Sequence, residues 1–147
     1  MQAPSSRYSE ILYAVLRFVA GALFACHGAQ KLFGAFGGQV GEKPLMLAGG
    51  VIEFFGGLLI AAGLLTRAAA FLASGMMAVA YFMAHAPKGF WPIVNGGENA
   101  VLYCSAFLFI AAHGAGIYSL DAALRRAAEA ARAAQPVRGV PAGVRRV

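Results

Sequence analysis

The sequence predicts an all-α fold: a membrane-spanning four-helix bundle with short loops and a basic C-terminal tail. Two observations carry that expectation. The chain is 60% hydrophobic and only 12% charged, with mean hydropathy +0.67, whereas soluble domains carry about 25% charged residues. Its apolar residues also gather into four runs of roughly 18 to 25 residues, each long enough as a helix to cross a bilayer.

Residues 1–8 are polar and read as a loose N-terminus. The domain then occupies 9–121, and 122–147 form a basic cytoplasmic tail. Helix one is expected from about Ser9 to Phe33. Arg7 before an apolar run looks like a secretory signal, but Arg17 interrupts the run and no A-x-A cleavage motif follows, so the segment reads as a retained first helix. Gly34 to Pro44 is a glycine-rich loop. Helix two is LMLAGGVIEFFGGLLIAAGLL, Leu45 to Leu65, with Glu53 as its one charge. Thr66 and Arg67 are expected to form a short turn, which makes helices two and three antiparallel neighbours.

Helix three runs from about Ala68 to His85, with Pro87 as its stop. The aromatic, turn-rich loop Ala86 to Gly97 suits a membrane interface, where Trp and Tyr concentrate. Helix four runs from about Glu98 to Ala115. Ala122 to Ala134 reads as a short helix on the membrane surface, and the chain after Pro136 as disordered.

Charge sets the orientation. The net charge is +6, and six of the arginines lie beyond residue 120. A basic excess confined to a tail is a topology signal with affinity for anionic lipid, not a nucleic-acid-binding face. Four helices put Arg7, Arg67 and the tail on one side. The opposite loops hold Lys43 and Lys88, each near an acid, Glu42 or Glu98. The expected location is therefore the bacterial inner membrane, multi-pass, with both termini cytoplasmic.

That topology brings polar groups together. A carboxylate inside a span costs roughly 2.5–3.5 kcal/mol on insertion scales, so Glu53 needs a partner, a proton or a ligand. Lys31 and His27 come late in helix one, Glu53 early in helix two, His85 at the end of helix three, and Glu98 and Asn99 at the start of helix four. All are expected in the outer half of the bundle. On a helical wheel His27, Lys31 and Arg17 share an arc of about 80°. Structural roles stay open for each. Glu98 and His85 fit as helix-dipole partners, Lys31 and Arg17 as snorkelling cations, His27 as a core histidine, and Glu53 as half of an ion pair. His113 reads as a helix-end residue.

The span-two glycines, Gly49, Gly50, Gly56, Gly57 and Gly63, read as sites of close helix approach. Cys26 and Cys104 form no CxxC and read as small buried hydrophobes. His27, Glu53, His85 and Glu98 include no HxxxH or ExxH pair, so no metal site is expected.

The segments LRFVAGALFACHGAQKLFG, GGVIEFFGGLLIAAGLLTR, FMAHAPKGFWPIVNGGENAVLY and GIYSLD, in this order, resemble the DoxX family of small four-helix membrane proteins. The family pattern falls on Arg17, Gly21, His27, Gly28, Lys31, Glu53, Gly57, Thr66, His85, Glu98 and Asp121. The resemblance implies an oxidoreductase role. The family takes its name from a membrane thiosulfate:quinone oxidoreductase with related subunits, other bacterial members resemble partners of periplasmic redox enzymes, and distant animal relatives resemble receptor assembly factors.

Two functions from different classes follow. One is a quinone-linked redox subunit: Glu53, His27 and Lys31 do the proton chemistry, while His85, Glu98, Asn99, Arg17, Phe54 and Phe82 bind the quinone. No haem-type histidine pair or flavin fingerprint accompanies them, so electrons come from a partner or a bound substrate. The other is a non-catalytic assembly subunit whose polar cluster is a structural ion-pair network. Expected partners are the lipid bilayer, a membrane or periplasmic redox protein and further copies of the chain, but not nucleic acid.

Overall fold

The computed structural model describes residues 7–134. The expected loose N-terminus, apart from its last two residues, and the expected disordered tail end lie outside the described residues. Every regular element among the described residues is helical. An apolar chain in lipid must satisfy its own backbone, and a helix does so within one segment.

Helix α1 spans Arg7–Phe33 and ends at Gly34, whose φ of 67° suits the glycine at a helix end. Helix α2 spans Pro44–Ala62, with proline in its first turn. Helix α3 spans Thr66–Lys88. After a short α4 (Pro92–Asn95) come α5 (Glu98–His113) and α6 (Leu120–Ala133). Ser119 caps α6, its Oγ accepting from the Ala122 amide at 3.2 Å.

Helices α1, α2 and α3 are long and apolar enough to cross a membrane. The apolar α5 has 16 residues, about 24 Å at helical rise, and it stops at His113 rather than Ala115. Gly114 then turns the chain with φ 93°.

The turn between α2 and α3 is displaced from its expected place. It falls at Gly63–Leu65, and Thr66 is already the first residue of α3. Gly63 leaves α2 with φ 72°, and Leu65 also has a left-handed φ of 48°. The Asp121 carboxylate stabilises that backbone by accepting from the amides of Leu65 at 3.1 Å and Thr66 at 3.3 Å.

The helices pack as two close pairs, α1 with α2 and α3 with α5. Small residues explain the first pair. A Cβ on Gly21 would stand 2.5 Å from the Ala61 nitrogen, and one on Gly57 2.5 Å from that of Ala25. Gly28 is seated on the backbone of Phe54. The expectation for helix two is corrected at Gly49 and Gly56, where an added Cβ would meet nothing within 4 Å, and at Gly63, which serves the turn. By contrast α1 and α5 stand apart and meet through large rings, Phe24 on Phe107 at 4.7 Å between centroids. That wider seam leaves room for a cavity.

Gly28 lies one turn before Lys31, so its contact sets how near α2 comes. Gly28→Val is expected to destabilise the protein by about 1–3 kcal/mol, the usual range for overpacking. Chemical unfolding in detergent would check it, and a variant as stable as the parent would contradict the tight α1–α2 seam.

Candidate functional site

The close α1–α2 approach brings Lys31 and Glu53 together. Lys31 Nζ lies 2.5 Å from Glu53 Oε1. Glu53 is only 4% exposed, and its second oxygen, Oε2, is buried with no hydrogen-bond partner. An unsatisfied buried acceptor costs about 1–3 kcal/mol, so this oxygen is where a donor on a ligand would be stabilised most.

Two irregular turns aim the neighbouring groups. Glu53 sits in a π-helical turn of α2, Ile52–Gly56, and His85 closes a second in α3, Tyr81–His85. Such turns occur frequently at functional sites because they re-aim side chains. His85 Nδ1 lies 3.2 Å from the Asn95 carbonyl. Asn95 organises the loop around it: its Nδ2 donates to Gly89 O at 2.6 Å and its Oδ1 accepts from the Gly97 amide at 2.8 Å. Tyr81 adds a bond to Phe90 O at 2.5 Å.

A cavity of about 310 Å³ lies against these groups, with walls from α1, α2, α3 and α5. His27, Lys31, Glu53, His85 and Asn99 all line it, among Phe24, Met77 and Tyr103. The expected gathering of polar groups from every long helix is thus present at one end of the bundle. Lys31, about one-third exposed, and the exposed His27 and Asn99 form its open side.

Four other candidates do not line the cavity. Phe54 packs on Phe33 and Phe55. Phe82 is 68% exposed and touches the Tyr81 ring. Glu98 is exposed in the first turn of α5, where its charge favours the helix dipole. Arg17 is buried near the other end of the bundle. Its guanidinium donates to Ile60 O at 2.5 Å, Ala61 O at 2.7 Å and Tyr118 O at 2.8 Å. It thereby satisfies Ala61 O, in the last turn of α2, and adds a second donor to Ile60 O, which also accepts from the Gly63 amide at 3.1 Å. Arg67 does the same for α5, donating to Ala112 O at 2.9 Å and His113 O at 3.2 Å.

Sequence reasoning missed Tyr103 and Asn95. Tyr103 lies four residues after Asn99 and so shares its helix face; that spacing was the available signal. Asn95 carried no signal beyond its place in a turn-rich loop.

Fold and chamber together define a small helical membrane protein with a polar site between its helices. The chain belongs to the DoxX family: the DoxX family model matches residues 12–86. A Haemophilus influenzae protein described as an uncharacterized protein is 44% identical over 124 residues, covering 78% of this chain and 92% of its own length. No solved structure matches the chain.

Proposed function

We propose that this protein crosses the bacterial inner membrane four times, with both termini cytoplasmic, and binds a quinone head group in its polar chamber as part of a redox system. The observation that carries the reading is Glu53 Oε2, a buried carboxylate oxygen without a partner on the wall of a cavity that also presents two histidines, an amide and a phenol. A quinone ring carries carbonyl acceptors, and its reduced form carries hydroxyl donors. Lys31, His27 and Asn99 can donate to the former, and Glu53 can accept from the latter.

When bound, the quinone would supply the electron acceptor. The chain's own residues hold the ring and exchange protons at Glu53 and the histidines. Electrons come from a membrane or periplasmic redox partner, the kind of partner the family resemblance implies.

Charge supports the orientation. Arg67, Arg125, Arg126 and Arg132 are exposed at the end opposite the chamber, and the positive-inside rule assigns such an end to the cytoplasm. The chamber then lies toward the outer leaflet. Helix α5 is a few ångström shorter than the hydrocarbon core, a mismatch that local thinning accommodates.

Glu53→Gln tests the reading. Glutamine keeps the shape and still accepts from Lys31, but it loses the charge. A charge-assisted hydrogen bond contributes about 1.5–3 kcal/mol, so binding of the reduced form, decylubiquinol, whose hydroxyls donate to Glu53, should weaken at least about tenfold in the purified protein while the fold persists. Unchanged binding would remove Glu53 from the site and favour the structural ion-pair reading.

A further inference from the structure

A second cavity adjoins the chamber at Lys31. It has a volume of about 430 Å³, is almost wholly apolar and lies between α2 and α3. Lys31, Ala80 and Ala84 wall both spaces, so the cavities adjoin across one lysine stem and two methyl groups. Gly49, Val79 and Met83 continue the second cavity toward the helix surface, where Val79 and Met83 are exposed. A Cβ on Gly49 would meet nothing within 4 Å. This glycine therefore does not serve helix packing; it leaves a furrow.

We infer that the chamber's ligand is a chain-bearing amphiphile, a prenylated quinone, whose hydrocarbon chain leaves through the furrow between α2 and α3. This rests on the quinone reading and adds the route. Polarity selects the route. Lys31 walls both spaces, but the chamber's open side adds the polar His27 and Asn99, poor company for a hydrocarbon chain, whereas the furrow, apart from Lys31 and Lys43, presents methyl, methylene and thioether groups. A lipid-soluble ligand also reaches the site from the bilayer, and the furrow is an apolar lateral entrance to it.

The test plugs the furrow and reads binding, not activity. Full-length protein in a single detergent is titrated with decylubiquinone and with the chainless ubiquinone ring. Gly49→Phe fills open space, and Val79→Trp approaches the furrow from the opposite wall, so one misfolded variant does not decide the matter. Each plug is expected to weaken decylubiquinone binding by at least about tenfold and leave the chainless ring within about twofold. If wild type binds both ligands and the plugs affect neither, or weaken both equally, the route is wrong while the quinone site stands. If wild type binds neither ligand, the quinone reading fails and this inference falls with it.

Discussion

Lys31→Met, with Glu53 left in place, is expected to destabilise the protein by about 3 kcal/mol. Removing one partner of a buried ion pair strands the other charge, at about 3–5 kcal/mol. The lower end applies because Lys31 is itself 33% exposed. The informative comparison is the double variant Lys31→Met with Glu53→Leu. Replacing a whole buried pair by apolar groups of similar volume is often neutral or stabilising, so most of the lost stability should return. Unfolding titrations in mixed micelles measure both. A harmless single variant would mean that Glu53 is not held by Lys31. A double variant less stable than the single would mean that the pair is needed for the fold itself.

Arg17→Leu produces a loss of similar size for a different reason. The carbonyls of Ala61 and Tyr118 lose this donor, and Ile60 O is left with the Gly63 amide alone. Each unsatisfied buried acceptor costs about 1–3 kcal/mol, so a total of about 3 kcal/mol is expected even if water reaches some of them. Arg17→Lys should restore under half of it, since a single ammonium cannot reproduce a planar fork. In whatever fraction stays folded, quinone binding should be unchanged, because Arg17 does not line the chamber. A selective loss of binding without loss of stability would return Arg17 to the site. Unfolding and ligand titration on the same samples separate the outcomes.

The fates of Arg17 and Lys31 show what sequence can carry. Both lie on one arc of α1, and a helical wheel gives each a direction. Glu53 is the sole charge in its apolar run, so its need for a partner was legible, and topology put Lys31 within reach. The acceptors of Arg17 were not legible, because every residue offers a carbonyl and only the folded turn shows which ones α2 leaves open. The turn itself was misplaced because Gly63 and Leu65 owe their left-handed backbone partly to Asp121, more than 50 residues away.

Phe54 and Phe82 illustrate another limit. Phe54 is adjacent to Glu53 in sequence but about 100° away around the helix, so proximity along the chain placed it on the wrong wall. The π turns that carry Glu53 and His85 depend on tertiary packing and have no periodic signature. Tyr103 is one aromatic among many in an apolar run; its spacing from Asn99 gives its helix face, and the wide α1–α5 seam gives it a place on the chamber.

The most direct measurement is the quinone content of the protein purified from native membranes into nanodiscs, compared between the parent chain and the Lys31→Met, Glu53→Leu double variant. Mass spectrometry of the extracted lipid should find stoichiometric quinone with the parent and only background with the stably folded double variant. Equal quinone in both, or none in the parent, would contradict a ligand site built on this ion pair.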